Sequence, residues 1–253
     1  MAIAKGEIPQ ESWLCLERRY TSYAGEHVLL SWTGTMFEYL MPMLWMKTYP
    51  NTILDETTQA AVRAQQKFAE SKSIPWGISE SSCLRLSVDG HYHYQAFGVP
   101  ALGINPEKPS DVVVSPYSTF LALLANPTEA VQNLRALQDL DLVGTYGFYE
   151  SADFTPSRLS PGKNCEPVRC WLAHHQGMSL MAVANVLCNS SIQRRFHAEP
   201  LVAATERLLH EKAPRTVILE PTPEFDSAAA AAEKSDEREQ ENLIQPAKLN
   251  STA

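Results

Sequence analysis

Two dipeptides constrain this chain's fold more than anything else in it: Ser115-Pro116 and Asn126-Pro127. Each puts a side-chain acceptor at a helix N-cap and a proline at the first helical position, where its missing N–H costs nothing and its φ is already helical. The first opens a helix to about Ala125, and the second opens the next, to about Asp139. Helices joined by so short a link must fold back as a hairpin. Other segments read the same way. Asp55–Ser71 has a cap at Asp55, an acid in the first turn at Glu56, and Ala61, Ala64 and Phe68 on one face, the pattern of a surface helix. Met36–Pro42 is dense enough in apolar residues for a buried helix, and Glu38 inside it needs a partner to offset the cost of burying its charge. Pro167–Cys188 makes a long helix and Pro200–Glu211 a last one, while residues 1–26 read as a short helix or irregular lead-in. The expected class is all-α, with chemistry carried on the connecting loops.

Two of those loops stand out. Residues 74–109 are rich in Gly, Pro and aromatics, with His91-Tyr92-His93-Tyr94 alternating like a short strand or extended loop. Residues 144–163 hold Tyr146-Gly147-Phe148-Tyr149-Glu150-Ser151-Ala152-Asp153. Beyond Thr216 the composition turns to Pro, Ala and charge, so the division expected is a domain over 1–215 and a linker or disordered tail over 216–253.

Several function classes drop out. A net charge of -8 carries no basic footprint for nucleic acid. No run approaches the roughly 18 apolar residues of a spanning helix, and Met1–Gln10 has no apolar secretory core. The five cysteines form no CxxC pair, which suits idle thiols better than a disulfide framework. Neither GxGxxG, a P-loop lysine, G-x-S-x-G nor HExxH occurs, so no cofactor, metal or serine nucleophile is expected.

Two carboxylates set among aromatic rings on Gly-containing loops suit chemistry on sugar. Glycosyl transfer needs one carboxylic acid to protonate the leaving oxygen and one carboxylate to attack or to activate water. Glu80, at the end of Pro75-Trp76-Gly77-Ile78-Ser79-Glu80-Ser81, and Glu150 are the candidates, each on a Gly-containing, aromatic-lined loop. A structural hydrogen-bonding role is the alternative for both. Asp153 suits a sugar hydroxyl or the orientation of Glu150. Trp76, Tyr92, Tyr94, Tyr146, Phe148 and Tyr149 can stack on pyranose faces or pack in the core, with Trp76 and Tyr149 the preferred sugar contacts. His174 and His175 are adjacent on a helix and point about 100° apart, so they suit hydrogen bonding near the sugar, with Gln176, better than one shared metal ion.

Taken together, Ser31-Trp32-Thr33-Gly34-Thr35-Met36-Phe37-Glu38-Tyr39-Leu40-Met41-Pro42, Trp76–Ser81, Ala96–Pro100, Tyr146–Glu150 and Ala173–Leu180 closely resemble the glycoamylase-like domain of bacterial cyclic β-1,2-glucan synthases, over roughly residues 1–215. The resemblance implies part of an (α/α)6 helical toroid, its C-terminal part. It also implies a soluble segment of a large inner-membrane synthase, on the cytoplasmic side, with glycosyltransferase and phosphorylase-like regions as its partners. The implied activity is cutting a linear β-1,2-glucan and joining its ends by transglycosylation. The alternatives are an endo-β-1,2-glucanase-type hydrolase or a non-catalytic glucan-binding remnant. Carried onto this chain, Glu80 is the implied nucleophile and Glu150 the acid/base; the expected substrate contacts are Glu38, Trp76, Ser79, Tyr94, Tyr146, Tyr149, Asp153, His174, His175 and Gln176. Two departures stand: Ser82-Cys83-Leu84-Arg85 replaces an expected Tyr-containing run, and the helix signals amount to about half of a complete toroid.

Overall fold

The computed structural model describes residues 1–106, 110–214 and 216–220. In chain order its elements are β1 (Tyr20–Tyr23), β2 (Glu26–Leu29), α1 (Met36–Leu40), α2 (Ile53–Lys72), β3 (Ser81–Leu86), β4 (Tyr92–Gln95), β5 (Val113–Val114), α3 (Pro116–Ala122) and α4 (Pro127–Asp139). There follow β6 (Val143–Gly144), β7 (Gly147–Phe148), β8 (Ser151–Asp153), β9 (Glu166–Val168), α5 (Ala173–Leu187), α6 (Ser191–His197) and α7 (Pro200–Thr205).

The local signals worked where they were strongest. The Asn126 side chain accepts the Glu129 N–H, and α4 runs from Pro127 to Asp139. The helix after Ser115 stops at Ala122, and α3 packs against α4. α2 is capped by Thr52, whose side chain accepts the Asp55 N–H. Ala61 and Ala64 pack inward as expected and Glu56, Arg63 and Glu70 stay exposed, but the buried face is wide, reaching Ile53, Thr57, Val62, Gln65 and Ala69, because β2 and α1 both pack on it.

The all-α class is overturned. The described residues combine helices with four small antiparallel sheets: β1-β2, β3-β4, β5-β8-β9 and β6-β7. The fold is mixed rather than a clear all-α toroid. These strands are two to six residues long, most of them too short for a two-residue period to register in sequence, though β4 lies where His91–Tyr94 alternates; β1-β2 and β3-β4 turn at Gly25 and Gly90, and Gly147 opens β7, all with positive φ. Pro167 shows the same effect. Read as a helix start, it lies instead in β9, on the sheet edge opposite Ala152, where a residue without an N–H does no harm, and α5 begins only at Ala173.

Two apolar clusters form the interior. One joins α1, α2, α3 and α5 around Leu40, Leu44, Ala61, Leu102 and Leu121. The other sits among the small sheets around Ile78, Phe97, Val113, Leu142 and Ala152. Trp76 belongs to the first and Ile78 to the second, so the turn at Gly77 joins the two. The chain's described end returns to its start: Leu219 pairs with Tyr20, and Arg18 forks onto Glu211 at 2.8 and 3.0 Å. The tail expected from composition lies, from 221 onward, outside the described residues. No helix among the described residues is long and apolar enough to cross a membrane.

Candidate active site

The site begins with the turn that carries Glu80. Three helices grip its backbone. From α4, Asn133 Oδ1 accepts the Trp76 N–H at 3.1 Å and Nδ2 donates to the Trp76 carbonyl at 2.8 Å. From α2, Gln65 does the same for Ile78, with both bonds at 3.0 Å. From α3, Ser118 Oγ donates to the Gly77 carbonyl at 2.9 Å. Gly77 has φ of 112°, and a Cβ there would stand 2.7 Å from Ser118 Oγ, so no other residue fits. Ser79 follows, buried, with its Oγ accepting the Phe37 N–H and lying 2.9 Å from the Tyr117 hydroxyl. β3 starts directly after Glu80.

Cross-strand register then supplies a neighbour. Ser82 pairs with Tyr94, and the Tyr94 hydroxyl donates to Glu80 Oε2 at 3.3 Å. Glu150 arrives by a separate route. Val114 pairs with Ala152, which sets the strand just before α3 close to the strand just after Glu150. The carboxyl group of Glu150 is buried, with the residue 2% exposed. It accepts the Ser82 N–H at 3.2 Å, and His175 Nδ1 stands 2.9 and 3.0 Å from its two oxygens. An N–H aimed between both oxygens of a carboxylate gives that near-equal approach, so the proton is assigned to Nδ1.

His175, on the first turn of α5, is 1% exposed and stacks on Tyr117 with centroids 3.6 Å apart and planes 11° apart. Its Nε2 lies 3.3 Å from the Tyr94 hydroxyl. A continuous chain therefore runs Glu150, His175, Tyr94, Glu80. Beside it opens a cleft of about 260 Å³, walled by Tyr117, Phe120, Phe148 and Tyr149 and reaching Glu150 and His175.

Burial pushes the Tyr117 phenol well above the ordinary range. Burial, reinforced by the charges of Glu80 and Glu150, also raises that of Tyr94. Both hydroxyls keep their protons at neutral pH. The exposed His174, whose ring is 6.1 Å from that of Tyr94, is shifted down by desolvation and then by His175, which favours its neutral form.

The other expected site residues divide. Tyr149 and Gln176 line the cleft, the latter donating to the Phe148 carbonyl at 3.2 Å. Tyr146 is 76% exposed and sits edge-on to Trp171 at 5.2 Å. Trp76 is 9% exposed within the apolar core. Asp153 is fully buried in a network with Arg158 at 2.7 Å, Thr155 and the Leu84 N–H, and Arg158 also holds Asp111. Glu38 has found its partners in backbone: it accepts the N–H groups of Thr33 and Gly34 and the Thr33 hydroxyl. Trp76, Asp153 and Glu38 thus hold the frame that surrounds the cleft. Sequence reasoning missed Tyr117 and Ser82. The only trace of Tyr117 was its place in the first turn of a helix opened by Ser115-Pro116.

Against known families, residues 3–200 match the Glycoamylase model. The chain belongs to the glycoamylase family. This glycoamylase domain is 41% identical over 216 residues to the cyclic beta-(1,2)-glucan synthase NdvB of Rhizobium meliloti (strain 1021), covering 85% of this chain and 8% of that one. Among solved structures, the endo-beta-1,2-glucanase of Chitinophaga pinensis, seen with sophorotriose and glucose, aligns at TM-score 0.56 and 20% identity over 78% of this chain and 47% of its own. The beta-1,2-glucanase of Parabacteroides distasonis aligns at TM-score 0.55 and 19% identity, over 79% of this chain and 29% of its own. The glycoamylase domain thus shares a fold with these enzymes while spanning less than half of either.

Proposed function

We propose that this domain is a glycoside hydrolase-like enzyme that acts on β-1,2-glucan by transglycosylation, within a longer synthase polypeptide, and that Glu80 and Glu150 are its catalytic pair. The observation that carries the reading is the hydrogen-bonded chain joining the two carboxylates beside an aromatic-walled cleft. Kinship to a cyclic β-1,2-glucan synthase and the fold shared with β-1,2-glucanases support the substrate class. The cleft's rings suit the apolar faces of glucose units.

The donors around Glu150 favour an order of roles opposite to the one the resemblance implied. A buried carboxylate that accepts a backbone N–H and an imidazole N–H is held in one orientation, as a nucleophile requires. Glu80, only partly buried, is then the acid/base. In the first step a Glu150 oxygen bonds to the anomeric carbon, the glycosidic C–O bond breaks, and the leaving oxygen takes the Glu80 proton. In the second, an acceptor hydroxyl gives its proton to Glu80 and attacks the same carbon, releasing Glu150 as carboxylate. The far end of the same glucan as acceptor yields a ring; water yields a shortened chain.

Linear β-1,2-glucan incubated with this chain, and with the full polypeptide that contains it, should give cyclic or shortened products resolved by mass spectrometry. Glu80→Gln or Glu150→Gln should lower the rate by about 10²- to 10⁴-fold. Product formed at an undiminished rate by both variants would refute the pair.

A further inference from the structure

We infer that Arg158 is a positioning residue for the carboxylate pair: through Asp153 it holds the strand after Glu150 in step with the strand after Glu80. The catalytic meaning of this rests on the carboxylate-pair reading, while the clamp itself rests on hydrogen bonds that can be tested without any glucan.

β8 and β3 belong to different sheets. β8 lies between β5 and β9 with its backbone paired on both edges, and among the described residues β3 pairs only with β4. What joins them is a row of side chains, from Glu150 to Asp153, that takes up backbone groups of β3. Glu150 Oε1 accepts the Ser82 N–H at 3.2 Å, Ser151 Oγ donates to the Ser82 carbonyl at 2.5 Å, and Asp153 Oδ2 accepts the Leu84 N–H at 3.0 Å. Ser151 and Asp153, two residues apart, share one face of β8, and Ser82 and Leu84, also two apart, offer their backbone groups on one edge of β3. The spacings match, so a slip of one residue would break the row. Glu80 lies just ahead of β3 and Glu150 makes the row's first bond, so the register of the row sets the gap between the two carboxyl groups.

The row is anchored at its far end. Both oxygens of the buried Asp153 carboxylate accept from Arg158, Nε at 2.7 Å and Nη2 at 3.1 Å, and one also accepts the Thr155 N–H at 2.9 Å. Arg158 is itself held: Nη1 donates to Asp111 and Nη2 to the Thr155 hydroxyl, each at 2.6 Å, and its guanidinium lies 5.9 Å from the Phe97 ring centroid. A planar fork of N–H donors meets all of these acceptors at once, which an ammonium cannot. With the fork in place, Asp153 cannot turn from Leu84 without breaking a two-point ion pair. Without it, the far end of the row loosens and Ser82 alone ties β3 to the strand after Glu150. Carboxyl groups about 5 to 5.5 Å apart suit direct attack on the sugar, and a gap of about 6.5 to 9.5 Å leaves room for water. Arg158 holds the gap against widening, which favours a sugar hydroxyl over water as acceptor.

The test is hydrogen exchange at the Ser82 and Leu84 amides, followed by NMR in the 253-residue chain, with Arg158→Lys, which keeps the charge but not the fork. Both amides should exchange faster by at least about tenfold, while the Ile78 amide, held by Gln65, changes by less than about twofold. A like rise at all three would mean general loosening. A rise at Leu84 alone would mean that the anchor does not reach the residue bonded to Glu150. Either result overturns the inference, as does no rise at all. If a thermal melt shows Arg158→Lys to be unfolded, Asp111→Asn, which withdraws one charge from the other side of the guanidinium, is judged on the same three amides by the same order. With linear β-1,2-glucan, Arg158→Lys should lower the ratio of transfer to hydrolysis products by at least about threefold. That ratio does not depend on how much of the enzyme is folded, so an unchanged ratio would overturn the positioning role. An absence of transfer product from the native chain and from the polypeptide that contains it would instead refute the transglycosylation reading, and the amides would still decide the clamp.

Discussion

Asn133→Leu tests whether the frame or the loop itself holds Glu80 in place. Leucine is close to asparagine in size but can neither donate nor accept. The Trp76 N–H and carbonyl would both lose their partner at a residue only 9% exposed, and Thr119 Oγ1 would lose a donor at 2.9 Å. Each buried backbone group left unpaired costs about 1–3 kcal/mol, so the two together cost about 2–6 kcal/mol. The added apolar contact recovers a fraction of this, leaving about 3 kcal/mol, a large share of the stability of a typical domain. In a chain of this size that corresponds to a fall in Tm of roughly 6–12 °C. Scanning calorimetry measures it directly. Because Glu80 lies four residues beyond Trp76, glucan turnover should fall in step with the melt. An Asn133→Leu chain melting within about 1 °C of the native one would refute the reasoning, since at most about 0.5 kcal/mol would then rest on the amide.

Gly34→Ala should be more damaging than an ordinary glycine replacement: φ is 78° and a Cβ would lie 2.4 Å from the Val99 carbonyl, a backbone atom with no rotamer to yield. A loss of at least about 3 kcal/mol in a denaturant titration is expected, and an unaltered midpoint would contradict it. Glu211→Gln should show a pH-dependent cost. Arg18, and less so Trp13, hold the Glu211 carboxyl below the ordinary carboxylate range, and burial only partly opposes them. A depressed folded-state pKa contributes stability above the unfolded value and loses it as pH falls through the folded one. The native chain should therefore exceed the variant by about 1 kcal/mol near pH 7, after allowance for solvent screening, and the gap should close below about pH 4. A gap that persists at low pH would assign the effect to packing.

Much of the chain could be read locally. Asn126-Pro127 placed the start of α4 correctly because a cap and a proline act on neighbouring residues whatever surrounds them. The Trp76–Ser81 and Tyr146–Glu150 segments carried the family likeness, and the family model spans them. The same local reading failed at Asp55, where Thr52 is the cap, and at Pro167, which sits on a sheet edge rather than a helix.

It reached least where distant segments meet. Glu38, Trp76 and Asp153 looked as suited to a sugar as Tyr149 did, since composition records only which groups a residue offers. Burial and partners separated them, giving Glu38 to the Thr33 and Gly34 amides, Trp76 to the core and Asp153 to Arg158. The sequence by itself determined the start of α4, the two carboxylate-bearing loops and the lack of a basic footprint or of a long apolar run. Only the tertiary structure decided that the connections form antiparallel hairpins, that Ser82 pairs with Tyr94, and that Tyr117 lies flat against His175, which joins Glu150 through Tyr94 to Glu80. Caps and turns depend on forces a few residues long. Strand register and ring stacking depend on which surfaces, tens of residues apart in sequence, can share one buried volume.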